Sequence, residues 1–210
     1  LAVEHSIPVD AAESIVSAVS CAADSAVAIA SRSKVCLYDS RTADDQGLLL
    51  LSTVGKQIRS STTESSPDSQ STGSEHLSVY PERLRTSAIA SGSTALIVVG
   101  DEDGTVFGLD AGLASARSDS DRSIIWASSD MSAHSNWVTS LSVGPRDEVV
   151  SGGADGVVRA WSSSGQSVGV YPLHDDTIYG TAWLGDGWGF ASVSYDGRLA
   201  VNARPVGIDD

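Results

Sequence analysis

The chain has 210 residues, of which 41% are hydrophobic, 6% aromatic and 19% charged; that is enough apolar content to bury a core and too much for a wholly disordered chain. Thirteen Lys and Arg against 27 Asp and Glu leave a formal net charge of -14, a field that repels phosphate backbones and the anionic cytoplasmic leaflet. Neither nucleic-acid binding nor direct membrane insertion is expected, and the apolar runs at 48–51 and 95–99 are far shorter than the roughly 20 residues that span a bilayer.

No charged-then-apolar leader precedes Leu1, so the chain does not read as a secretory precursor. Its two cysteines, Cys21 and Cys36, cannot make a disulfide framework and read as buried free thiols of a reducing, cytoplasmic compartment.

Helical periodicity is almost absent, whereas short runs of Val, Ile, Leu, Ala and Trp recur between clusters of Gly, Ser, Asp and Pro, which is an all-β pattern. The first unit, 1–57, carries candidate strands at 15–20, 27–30, 35–38 and 48–54. Residues 58–84 read as an insertion: between Ser60 and Ser74 ten of the residues are Ser or Thr and none is large and apolar, so the stretch cannot bury enough surface to offset its ordering entropy. It is either a phosphorylation segment or an ordinary surface loop. The second unit, 85–130, has strands at 87–90, 95–99, 105–109 and 123–127. The third, 131–173, has them at 138–143, 148–151, 157–161 and 167–171. The fourth, 174–210, has strands at 178–183, 189–193 and 199–202, followed by a tail.

Three of these units share an Asp-Gly turn between two strands, at Asp103, Asp155 and Asp196. In each, the Asp stands six residues before Leu109, Trp161 or Asn202, and Tyr38 ends a weaker first copy. Positions 38, 109, 161 and 202 are 71, 52 and 41 residues apart, and the longest interval holds the insertion. The underlying unit is therefore about 40 residues with four strands, the period of a WD-repeat β-propeller blade.

The third unit shows what such a blade requires chemically. His134 precedes its first strand, Ser151 ends the second, Asp155 opens the turn and Trp161 ends the third. An imidazole, a hydroxyl, a carboxylate and an indole N–H in this order can satisfy one another at a buried blade edge. The fourth unit keeps His174, Ser192 and Asp196 but has Asn202 in place of the Trp, and the second keeps only Asp103, so those blades are expected to be less rigid. His134 and His174 stand 40 residues apart, one per repeat, with no second His or Cys at ligand spacing, so neither a metal nor any other cofactor is expected. A Ser-His-Asp hydrolase triad can be assembled on paper from Ser151, His134 and Asp155, but no G-x-S-x-G nucleophile elbow accompanies it, and no catalytic residue is assigned.

The segments H-S-N-W-V from His134, H-D-D-T-I-Y-G-T-A-W from His174 and W-G-F-A-S-V-S-Y-D-G-R-L-A-V-N from Trp188 resemble the C-terminal blades of the EARP- and GARP-interacting WD-repeat protein family. The resemblance covers about residues 131–205; upstream of Met131 only the repeat pattern is present. It implies a WD40-type β-propeller acting as a non-enzymatic adaptor of endosomal tethering complexes, in endosomal recycling and retrograde Golgi traffic. It also implies tethering-complex subunits as partners and recruitment to endosomes or trans-Golgi membranes through protein contacts. The alternatives are a propeller hydrolase of the diphthamide-methylesterase type and an adaptor of a ubiquitin ligase or nuclear-pore assembly.

In a propeller, residues just before the first strand and around the turn Asp project from one face. That makes Glu102, Ser135, Trp137, Ala154, Asp175, Thr177 and Tyr195 the candidate interaction face, with Trp137 and Tyr195 as aromatic anchors. The acidic members call for a protein partner with a basic surface. Trp183 and Trp188 read as core and blade-edge residues. Four blades are visible and the fourth stops after its third strand. Either residues 1–5 supply the missing outer strand and close a four-bladed ring, or the chain is a truncated or extremely divergent form of a seven-bladed parent.

Overall fold

A computed structural model of the chain describes residues 15–21, 26–31, 34–44, 47–55, 86–92, 95–110, 124–129, 133–185 and 187–203. The insertion read at 58–84, the closing strand read at 1–5 and the tail after Ala203 lie outside the described residues.

The described residues form fifteen strands and no helix. The first sheet contains β1 (Ile15–Cys21), β2 (Ala26–Ser31), β3 (Lys34–Asp44) and β4 (Gly47–Gly55). The second contains β5 (Thr86–Ser91), β6 (Leu96–Asp101), β7 (Val106–Asp110) and β8 (Ile124–Ala127). The third contains β9 (Val138–Val143), β10 (Val149–Gly153), β11 (Val157–Trp161) and β12 (Ser167–Pro172). The fourth has three strands, β13 (Ile178–Trp183), β14 (Gly189–Ser194) and β15 (Leu199–Ala203). Within every sheet the strands lie in chain order and pair antiparallel, as short turns between β-branched runs dictate.

The repeat inferred from Leu109, Trp161 and Asn202 is a repeat of register. Ile97 pairs with Leu109, Val149 with Trp161 and Phe190 with Asn202. A bulge recurs near the start of each first strand, between Thr86 and Ala88 and between Ile178 and Gly180. The first sheet departs from its expected bounds: β3 continues to Asp44, because Asp44 pairs with Gly47 across a tight hairpin.

The sheets are stacked face to face, so that β1 packs against β5, β5 against β9 and β9 against β13. Side chains alternate between faces along each strand, and three successive seams result. Ala28, Ala30 and Val35 meet Ile97, Val99, Phe107 and Leu109. Val98 and Val106 meet Val138, Val149 and Trp161. Val150, Val158 and Ala160 meet Ile178 and Phe190. Each fully buried side chain of this size contributes roughly 1.5–3 kcal/mol of transfer free energy, so the seams hold the sheets together. No helix among the described residues is long and apolar enough to cross a membrane.

Candidate functional site

The third sheet carries a closed chain of polar contacts. His134 Nε2 lies 2.8 Å from Ser151 Oγ and its Nδ1 lies 3.0 Å from Asp155 Oδ1. Trp161 donates its indole N–H to the same Ser151 oxygen at 3.0 Å. One proton assignment satisfies every group: the indole donates to the hydroxyl, the hydroxyl to Nε2, and Nδ1–H to the carboxylate. Trp161 and Ser151 are fully buried and His134 is nearly so, so an unpaired member would bear its full desolvation cost.

Asp155 anchors the outer end of this chain. Its carboxylate also accepts the backbone N–H of Ser135 at 3.0 Å and of Val157 at 3.2 Å. Burial by itself pushes the carboxyl up, but the His134 contact and these two N–H donors outweigh it and hold the pKa down to about 2.

The fourth sheet repeats the arrangement with one part missing. His174 Nε2 lies 2.9 Å from Ser192 Oγ and Nδ1 lies 3.0 Å from Asp196 Oδ2. Asp196 accepts the N–H of Asp175 at 3.1 Å and of Arg198 at 2.8 Å. Against the pull of desolvation, those backbone bonds and His174 hold its carboxyl below the usual range. Asn202 stands where the Trp would be, and its buried Nδ2 has no partner. The second sheet has dispensed with the polar chain: Val99 and Leu109 occupy the Ser151 and Trp161 positions and both are 0% exposed. Replacing both partners by apolar groups leaves nothing unsatisfied.

Each histidine also ties its unit to the preceding turn. His134 donates its backbone N–H to Gly104 O at 2.9 Å and His174 to Gly156 O at 3.2 Å. Gly104 and Gly156 have φ of 88° and 75°, and a Cβ at either would strike the backbone carbonyl of that same histidine. Both constraints demand glycine after the turn Asp.

Although His134 connects to Ser151 and Asp155 in the order of a hydrolase triad, the Ser151 hydroxyl is 0% exposed and Ser192 1%, and Ser151 is further held by the indole. Neither oxygen lies at a surface where a substrate carbonyl could approach. Among the described residues, no group of three or more His, Cys, Asp or Glu side chains is placed to hold a metal ion.

Above the clasps lies a rim. Ala154 N donates to Trp137 O at 2.8 Å and Tyr195 N to Thr177 O at 3.0 Å, so corresponding loops are locked in the third and fourth sheets. Trp137 is 48% exposed and Tyr195 72%. Ser135 and Asp175 are exposed, Ala154 and Thr177 half-buried. Glu102 differs from its expected placement: it is 8% exposed, turned in beside the Asp101–Gly104 turn, and adds little to the surface. Trp188, read as a blade-edge residue, is half exposed as well.

Two rim features escaped the sequence reading. Tyr179 is exposed and its ring packs on Tyr195 with centroids 5.1 Å apart. Arg198 bridges to Asp175 at 2.5 Å. Tyr179 sits in the β13 bulge, which alters its facing, and the signal that could have found it is its 40-residue offset from Thr139, another bulge residue.

No family model matches the chain. It is 46% identical over 39 residues to the EARP-interacting protein homolog of Danio rerio, over 18% of this chain and 10% of that protein. The EARP and GARP complex-interacting protein 1 of Homo sapiens matches with the same identity and coverage. The WD repeat-containing protein DWA2 of Arabidopsis thaliana is 27% identical over 96 residues, 35% of this chain and 27% of that protein. The matched stretches thus span about a tenth to a quarter of these relatives. Among solved structures, the computationally designed Ika4 protein superposes with a TM-score of 0.61 at 17% identity, over 91% of each chain; at that identity the likeness concerns the fold alone. The chain is an all-β protein of four antiparallel, propeller-like sheets, with partial similarity to WD-repeat proteins.

Proposed function

We propose that the chain is a WD-repeat β-propeller unit that works as a non-enzymatic protein-interaction scaffold, in the specific form of an adaptor for endosomal tethering complexes. The observation that carries the reading is the pair of buried clasps, His134–Ser151–Asp155–Trp161 and His174–Ser192–Asp196, lying beneath an aromatic rim. Polar groups spent on rigidity below hold Trp137, Tyr179 and Tyr195 in fixed positions above, which is the economy of a docking surface. The acidic residues Asp175 and Asp176 beside them favour a partner with a basic surface. Similarity to proteins named for interaction with EARP and GARP complexes supports the tethering form. The buried serine hydroxyls weigh against the hydrolase alternative.

Affinity purification of the tagged chain from cell extract, followed by mass spectrometry, tests the adaptor role. The expected result is enrichment of tethering-complex subunits. Recovery of ubiquitin-ligase or nuclear-pore subunits instead would favour those assemblies, and ester hydrolysis by the purified chain that is lost in Ser151→Ala would overturn the scaffold reading.

A further inference from the structure

Trp137 stands on a loop whose backbone is fixed from both ends. His134 N–H donates to Gly104 O at 2.9 Å and Ser135 N–H to Asp155 Oδ2 at 3.0 Å. Trp137 N–H donates to Asn136 Oδ1 at 2.8 Å, and Trp137 O accepts Ala154 N–H at 2.8 Å. The fourth sheet builds the same turn, with Asp176 Oδ1 accepting Thr177 N–H at 2.6 Å, so the turn closes equally well on a threonine. The indole of Trp137 makes no hydrogen bond and meets no other ring among the described residues, and it is half exposed. A large ring held in place without a folding partner is the arrangement of a contact anchor.

The turns around it form a continuous row. A Cβ on Gly104 would strike the carbonyls of His134 and Asn136, and one on Gly156 those of His174 and Asp176. The turn of the second sheet, the loop and turn of the third and the loop of the fourth therefore adjoin in that order. Asp103, Asp175 and Asp176 are exposed along this row. Arg198, the base beside them, is spent on Asp175 at 2.5 Å. Asp103 and Asp176, on the turns to either side of the Trp137 loop, have no counter-charge among the described residues. Asp155, ionised at neutral pH because its pKa is held at about 2, adds its charge below.

This combination selects a ligand chemistry. Phosphates and acidic peptides are repelled, and among the described residues no group of side chains is placed to hold a metal ion. An ammonium is a strongly hydrated point charge, whereas a guanidinium is flat, weakly hydrated, stacks on an indole and presents a fork of N–H donors to carboxylates.

We propose that Trp137, with Asp103 and Asp176 to either side, receives an arginine side chain from an extended segment of a partner protein. The guanidinium stacks on the indole and its N–H groups bond the flanking carboxylates. The inference rests on the scaffold reading in one respect, that this rim meets a protein, and adds the side chain it reads.

NMR titration of the isotope-labelled full chain tests it. The chain has five indole N–H signals, and that of Trp137 is identified by its loss in Trp137→Phe. The probe is the peptide Gly-Arg-Ser-Arg-Gly, compared with its lysine and citrulline counterparts. The expected result is a saturable shift of the Trp137 signal with a dissociation constant of about 1 mM. The lysine peptide should bind at least about threefold more weakly and the uncharged citrulline peptide at least about tenfold. Anisotropy of the dye-labelled arginine peptide extends the test to variants of unchanged circular dichroism. Trp137→Ala and the pair Asp103→Asn, Asp176→Asn should each weaken binding at least about tenfold, while Trp137→Phe, which keeps a stacking face, stays within about threefold. No saturable shift at about 5 mM peptide, equal affinity for the citrulline or lysine peptide, or binding indifferent to the two Asp changes would overturn the proposal. If the peptide fails while a partner is still recovered from extract, the arginine site falls and the scaffold reading stands. If the peptide binds as expected and no partner is recovered, the arginine site stands and the scaffold reading falls.

Discussion

Trp161 donates its indole N–H to Ser151 Oγ, and that same oxygen meets His134 Nε2. One hydroxyl therefore joins β10, β11 and the loop entering β9, and its loss should be felt in all three.

Trp161→Phe removes one donor and part of a buried ring, so it should cost at least about 1 kcal/mol. Ser151→Ala strands both the indole N–H and the imidazole nitrogen and should cost more, about 2–3 kcal/mol. The double variant should be less destabilised than the sum of the two. Urea unfolding of the four proteins measures the coupling, and strict additivity would show that the contacts act independently.

Acid should loosen the third sheet in a defined window. The Asp155 carboxyl is held at about 2 in the folded protein, against 3.8 for an ordinary aspartate. Its contribution is complete above the unfolded pKa and is lost as pH falls from about 4 through 2. Allowing for solvent screening, about 1 kcal/mol is at stake. Melting temperatures of the wild-type chain and Asp155→Asn, compared between pH 6 and pH 2, should converge at the acid end.

The incomplete clasp of the fourth sheet should be repairable. Asn202 leaves a buried Nδ2 unpaired, while Ser192 Oγ, bonded to His174, stands where Ser151 receives its indole. Asn202→Trp should raise stability by about 1 kcal/mol; a lowered melting temperature would show that the seam beside Phe190 has no room for the indole.

Gly165 and Gly197 separate strain from crowding. Both have φ of 79°, but a Cβ on Gly165 would enter the Trp126 ring whereas one on Gly197 meets nothing within 4 Å. Gly197→Ala should cost about 1 kcal/mol from backbone strain alone. Gly165→Ala should cost at least about 1–3 kcal/mol more, because the buried indole must move. Thermal melts of the pair give the difference directly.

The strands and the repeat register were legible because alternation and the Asp-Gly turn are local signals. The grouping of His134, Ser151, Asp155 and Trp161 was legible for a related reason, since in an antiparallel meander fixed spacing along the chain becomes fixed position across the sheet. What joins one sheet to the next was not. The reach of Thr139 to the Ile178 carbonyl and of Ser142 to Trp183 depends on the separation of two sheets, and small polar residues in strands carry no sign of which neighbour they serve. Glu102 likewise occupies the turn position of Tyr195, yet one is buried and the other open, because exposure there depends on the loops that surround each turn.

The proposed interaction rim rests on the exposed side chains of Trp137 and Tyr195. Partner recovery by the Trp137→Ala, Tyr195→Ala double variant, in a pull-down from cell extract, tests it most directly. At least a tenfold loss of recovered partner is expected, with a melting temperature unchanged within about 2 °C, since both side chains are exposed and contribute little to folding. Undiminished recovery by that folded variant would contradict it.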